Sequence, residues 1–196
     1  MTKKTALFKI KRQDSHQSKS YWQTFELPFH PHANVISCLQ EIQRNPITLD
    51  GKTVSPVTWD CNCLEEVCGS CSMVINGRVR QACTALVDQL EHPITLEPMS
   101  KFPIVRDLQV TRTRMFENLK KINAWIEIDG VYDIGEGPTF SEKQRSKAYA
   151  LSQCMTCGCC LEACPQFTDA NSFMGAFTFS QVRYFNMHPT GAMSKE

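Results

Sequence analysis

The sequence predicts an α+β chain in two parts: about a hundred residues of short strands around one helix, then a helical remainder. Three observations carry that expectation. Short β-type runs flank the pair Asn76-Gly77, the strongest local hairpin signal because both turn positions need positive φ. The apolar period changes from strand-like to helix-like near Pro103. Ten of the eleven cysteines fall in two tight groups, Cys61 to Cys83 and Cys154 to Cys164, one in each part.

Residues 6–11 and 21–27 read as the first two strands, with a polar loop between them. Asn34 is placed to cap a helix that ends before Pro46. Within it Val35, Cys38, Leu39 and Ile42 fall at i, i+3, i+4 and i+7, one apolar face. Cys38 lies on that face and is expected as a buried structural thiol. Strands at 72–75 and 78–82 form the Asn-Gly hairpin, which returns Cys83 toward Cys71, and 94–96 adds a further strand. Leu108, Arg112, Met115, Leu119, Ile122 and Ile126 then keep helical spacing, with basic residues on the opposite face. Asp129-Gly130 and Gly135 to Pro138 mark a flexible connection. Ser141 and Gln144 form a capping box that opens a helix running toward Cys154. One more helix is expected within 173–185. The domain boundary falls between residues 104 and 105, giving units of 1–104 and 105–196.

At 196 residues and 42% hydrophobic content the chain can bury a packed interior. A net charge of +1 argues against a nucleic-acid partner, which calls for a clear basic excess. Lys9 and Lys11 interrupt any signal-peptide core. No run approaches the roughly 18 apolar residues of a membrane helix, so the expectation is a soluble chain or one peripheral to a membrane. Trp22, Trp59 and Trp125 are expected in core packing or a partner interface. The five histidines are expected at the surface, His188 with a possible membrane-facing role. Lys4, Lys9, Lys11 and Arg12 are expected along a solvated strand edge.

The cysteines carry the chemistry. Disulfide scaffolds are usually shorter and spread their cysteines throughout; tight clusters read as metal ligation by reduced thiols. Cys63, Cys68, Cys71 and Cys83 give C-x4-C-x2-C-x11-C, the plant-type arrangement for a [2Fe–2S] cluster. Such a cluster needs a loop whose amides point at the sulfurs, and Gly69 between two ligands lets the backbone approach closely. Cys61 is a fifth cysteine, read as a non-ligand, although it could replace Cys63 at poorer spacing. A four-thiolate zinc site is the competing reading, but zinc ribbons use two separated C-x2-4-C knuckles, and only one exists here.

Cys154, Cys157, Cys160 and Cys164, followed by Pro165, fit C-x2-C-x2-C-x3-C-P, the run that wraps a cubane cluster. The first three serve one cluster and the fourth a different one. Cys159 is surplus: it and Cys160 cannot both face the same cluster, and the spacing selects Cys160. No second copy of the run follows, so two clusters lack ligands. Truncation of the chain, ligands from a partner, or recruitment of Cys38, Cys61 or Cys159 would each close that gap, with truncation the expectation.

In their order along the chain these motifs resemble the iron–sulfur subunit family of succinate dehydrogenase and fumarate reductase. The resemblance extends to Cys-Leu-Glu-Glu-Val-Cys-Gly-Ser-Cys-Ser-Met, Asn76-Gly77, Pro98-Met99, Phe102-Pro103, Val105-Arg106-Asp107 and Cys-Met-Thr-Cys-Gly-Cys-Cys-Leu-Glu-Ala-Cys-Pro. Cys61-Asn62-Cys63 and His188-Pro189-Thr190-Gly191 are similar to the subtype that works with a dihaem cytochrome b anchor and menaquinone. It implies an N-terminal β-grasp ferredoxin domain and a C-terminal helical ferredoxin-like domain. It also implies an electron relay of the tricarboxylic acid cycle, from a flavoprotein FAD through [2Fe–2S], [4Fe–4S] and [3Fe–4S] clusters to a membrane quinone. By motif matching, Cys63, Cys68, Cys71 and Cys83 hold the first cluster, Cys154, Cys157 and Cys160 the second, and Cys164 part of the third. The family's quinone pocket uses residues just after the Cys-Pro, here Gln166 and Phe167. The implied setting is the cytoplasmic face of the bacterial inner membrane, with no catalysis by this chain alone. Two other readings stand beside it: fumarate reduction in the reverse direction, and a heterodisulfide-reductase or glycolate-oxidase type subunit. The latter normally carries two copies of the cubane run and no plant-type motif.

Overall fold

A computed structural model describes residues 4–125 and 141–188. Strands β1 (Thr5–Arg12) and β2 (Tyr21–Pro28) form an antiparallel hairpin, paired from Thr5 with Pro28 to Arg12 with Tyr21. Helix α1 (Val35–Arg44) follows. Strands β3 (Ser72–Ile75) and β4 (Arg78–Gln81) turn at Asn76-Gly77, where φ is 48° and 74°. Strand β5 (Ile94–Glu97) enters between the two hairpins, parallel to β1 and antiparallel to β3. The sheet order is therefore β2-β1-β5-β3-β4.

The alternation in β1 explains its seat. Ala6, Phe8 and Ile10 are buried while the residues between them are more exposed, so one face of the strand meets the core. Val35, Ile36, Cys38, Leu39 and Ile42 turn the apolar side of α1 onto Phe8, Ile10, Phe25, Met73, Ile75 and Leu96. Fully burying each such aliphatic or aromatic side chain is worth about 1.5–3 kcal/mol. Cys38 lies in this core, where burial pushes its thiol up to about 11.

The second part differs from its expected outline. Instead of one helix from Leu108, a two-stranded hairpin comes first, β6 (Ile104–Arg106) against β7 (Gln109–Val110). Helix α2 covers only Thr113–Lys121. Leu108 belongs to the first core, Val110 and Met115 to a second one, so the 3.6-residue spacing at 108 was coincidental. Ile126, Asp129-Gly130 and Gly135 to Pro138 lie outside the described residues. Helix α3 (Glu142–Ser152) begins with the expected capping box, Gln144 N to Ser141 Oγ at 3.4 Å and Ser141 N to Gln144 Oε1 at 3.0 Å. Helices α4 (Cys159–Ala163) and α5 (Ala176–Met187) complete the described chain. The second core gathers Met99, Phe102, Val110, Met115, Leu161, Phe167 and Phe177.

Arg12 corrects another expectation. It is not on a solvated edge but fully buried, its Nε and Nη2 donating to Asp107 at 2.8 and 3.2 Å. It also donates to Gln23 Oε1 and to the carbonyls of Ser55 and Pro56. Buried charge of this kind is tolerated only when paired and fully hydrogen-bonded. Trp59 packs against the first core, whereas Trp22 and Trp125 are exposed.

Candidate metal centre

Residues 59–71 form an irregular loop that leads into β3. Leu64, Glu66 and Gly69 take left-handed φ of 63°, 57° and 71°. Such residues interspersed with ordinary ones turn successive N–H groups to one concave side, which suits anions. The sulfur atoms occupy that side. Cys63 Sγ accepts from the amides of Glu65, Val67 and Cys68 at 3.4, 3.3 and 3.2 Å. Cys68 Sγ accepts from the amides of Cys63 and Ser70, each at 3.5 Å. The Cys63 amide, helped by Ser70, holds the Cys68 thiol down to about 6.

The β3–β4 hairpin supplies the other two. Ala82 N donates to Cys71 O at 3.2 Å, which closes the hairpin beyond its strands and sets Cys71 beside Cys83. Burial, together with the neighbouring Cys71 thiol, pushes Cys83 up to about 11. Helix α1 reaches this corner as well. Asn34 Oδ1 caps the helix by accepting from Ser37 N at 2.9 Å, while its Nδ2 donates to Cys83 O at 2.9 Å.

The four thiols thus come as two pairs, Cys63 with Cys68 and Cys71 with Cys83. Paired thiols suit a two-iron group with two thiolates on each iron. Among the described residues no three His, Cys, Asp or Glu side chains converge as a ready-made metal site, at either cysteine group. Cys61 is exposed and receives none of these amides.

The second cysteine group begins where Thr156 and Gly158 take φ of 55° and 87° and ends through α4. A hydrogen bond from the Cys159 thiol holds Cys157 down to about 6 and drives Cys159 itself far upward. Cys159 Sγ also accepts from Gln81 Nε2 of β4 at 3.6 Å, so this surplus cysteine joins the two parts of the chain. Burial, then Cys157 and Cys154, raises the Cys160 thiol, which is itself exposed, while Cys154 and Cys157 are half-buried. Cys154 and Cys164 pack against the second core. Lys101 Nζ donates to the carbonyls of Leu161 and Cys164, and the Glu162 carboxylate accepts from the amides of Ser100 and Lys101 at 2.9 and 3.0 Å.

The two loops touch. A Cβ built on Gly69 would lie 2.4 Å from Cys157 Cβ and 2.8 Å from its Cα, so only glycine fits there. Arg112 spans the same joint, donating to the carbonyls of Cys157, Gly69 and Ser70. The sequence pattern had assigned Arg112 to a helix face; nothing local marks a side chain whose acceptors lie more than forty residues away. Lys101 was missed for the same reason.

The family described as a 2Fe-2S iron-sulfur cluster binding domain matches residues 7–117. The succinate dehydrogenase iron-sulfur subunit of Bacillus subtilis (strain 168) is 62% identical over 192 residues, covering 98% of this chain and 76% of that protein. The chain belongs to the family of succinate dehydrogenase iron–sulfur subunits. The fumarate reductase iron-sulfur subunit of Wolinella succinogenes is 29% identical over 176 residues, 88% of this chain and 70% of that one. Among solved structures, the Mycobacterium smegmatis Sdh1 complex in the apo form contains a chain with TM-score 0.78 and 21% identity. The match covers 96% of this chain and 77% of that chain, and at such identity it shows a shared α+β ferredoxin-like fold. Cluster binding is therefore a property of the family to which these cysteine loops belong.

Proposed function

We propose that this chain is the electron-transfer subunit of a succinate dehydrogenase, carrying electrons from the FAD of a flavoprotein subunit to a membrane quinone, menaquinone in the dihaem cytochrome b subtype. Cys63, Cys68, Cys71 and Cys83 hold a [2Fe–2S] cluster. Cys154, Cys157 and Cys160 supply ligands to a [4Fe–4S] cluster and Cys164 to a [3Fe–4S] cluster, each completed by groups beyond these four. We divide the chain into a β-grasp unit, 1–104, and a helical one, 105–196, with Leu108 packed back into the first core and Met99 and Phe102 reaching into the second.

Bound iron–sulfur clusters supply one-electron redox chemistry whose potential follows hydrogen bonding, charge and exposure. The residues here hold, shield and aim that chemistry. The amides of Glu65, Val67 and Cys68 stabilise negative charge on Cys63. Gly69 keeps the second loop in van der Waals contact with the first. Among the described residues no helix is long and apolar enough to cross a membrane; we place the chain as a peripheral subunit at the cytoplasmic face, attached through a membrane anchor.

The observation that carries this reading is the concave loop of inward amides around paired thiols. Electron paramagnetic resonance of the anaerobically purified, dithionite-reduced complex tests it. Cys68→Ser is expected to abolish or strongly alter the [2Fe–2S] signal, and Cys61→Ser to leave it intact. Loss of the signal in the Cys61 variant would overturn the ligand assignment. A colourless, silent protein with stoichiometric zinc would overturn the function.

A further inference from the structure

Neither cysteine motif includes the side chain that lies between the two loops. Arg112 immediately precedes α2 and reaches back across the joint. Its Nε donates to Cys157 O at 3.1 Å, and its Nη2 to the carbonyls of Gly69 and Ser70 at 3.2 and 3.3 Å. Cys157 belongs to the second ligand set, and Gly69 and Ser70 lie between two ligands of the first. A guanidinium fork is suited to this task because it offers several fixed donors and never loses its charge. Among the described residues no carboxylate forms an ion pair with Arg112, whose charge acts instead on the Cys157 thiol.

We propose that Arg112 is a positioning residue that clamps the two cluster loops together and whose charge raises the reduction potential of the cluster held by Cys154, Cys157 and Cys160. The inference rests on the ligand assignment above. Reduction adds one negative charge to the cluster, and a fixed cation a few ångströms from a ligand's backbone favours the more negative state. Its effect fades with distance, so the cluster served by Cys164 is the internal reference.

Redox titration of the assembled complex, followed by electron paramagnetic resonance, tests this. Arg112→Gln keeps a polar stem but removes the charge. It is expected to disfavour reduction of the second cluster about tenfold, which is about 59 mV for one electron, with the third cluster's midpoint unmoved. Arg112→Lys keeps the charge and is expected to keep the midpoint. An unshifted second midpoint in Arg112→Gln, with all signals intact, overturns the role of Arg112. A wild-type complex lacking a second reducible signal overturns the ligand assignment instead. Should Arg112→Gln fail to assemble, Arg112→Lys decides alone: a second midpoint lowered by about 59 mV, a tenfold change in the reduction equilibrium, while the charge is present overturns the proposal, and a retained midpoint with an unchanged line shape supports it.

Discussion

Gly69 combines two demands that usually fall on different residues. Its φ of 71° is left-handed, and a side chain there would overlap Cys157. Gly51 has a similar φ of 79° but open space around it. The pair therefore separates backbone cost from steric cost. Gly51→Ala should lose about 1–2 kcal/mol, the penalty for a left-handed L-residue. Gly69→Ala should lose that and a further 1–3 kcal/mol or so for overpacking. Thermal unfolding of the two variants reads the difference, and equal losses would mean the loops are not in tight contact. Single residues of this kind were only partly legible. The left-handed turn at Asn76-Gly77 follows from two adjacent letters, and Gly69 was expected to allow close backbone approach. That it is Cys157 which approaches could not be read from residues near either position.

At the scale of an element, α1 and the β3–β4 hairpin were legible nearly to the residue, because cap, period and turn are all local. The β6–β7 hairpin was not. Leu108, Arg112 and Met115 satisfy a helical period while serving two cores and a loop joint, and only the folded chain separates those roles. Asn34 shows how an element can serve a site. It caps α1 and also holds the carbonyl of Cys83. Asn34→Ala should cost about 1 kcal/mol as a lost cap and about another for the freed Cys83 carbonyl, and should perturb the [2Fe–2S] signal. Ser141→Ala removes a cap of similar strength from α3, which carries no ligand of that cluster. It should lower stability by about 1 kcal/mol and leave the first cluster's spectrum unchanged. A spectrum unchanged in both variants would count against the helix as a support for the site.

At the scale of the molecule, the buried Arg12–Asp107 pair fastens the first strand to the turn between β6 and β7. Asp107 accepts from Arg12 Nε, Arg12 Nη2, Gln13 N and Thr58 N, at 2.8, 3.2, 3.1 and 2.9 Å. Losing one partner of a fully buried pair typically costs about 3–5 kcal/mol, because the other charge is stranded. Asp107→Asn should therefore destabilise the chain by about that amount in thermal unfolding. Replacing both partners, Arg12→Met with Asp107→Asn, should recover part of the loss. No recovery in the double variant would show that the hydrogen bonds to Gln13 and Thr58 matter more than the charge. Neither residue's role could be read from its neighbours in sequence. Arg12 ends a strand of alternating polar residues, and Asp107 sits in a short turn.

That fastening also bears on the order in which the protein comes into being. Arg12 and Asp107 are 95 positions apart, and Asp107 fixes Thr58, at the root of the first cysteine loop. Contacts of such long range form only after the intervening chain has been made and its closure entropy overcome. A nascent chain that has released Cys83 but not residue 107 holds every thiol of the first motif without the anchor that seats its loop. On the proposed ligand assignment, cofactor loading at the first site is expected after the synthesis of β6 and β7, when the root of the loop can be held in place.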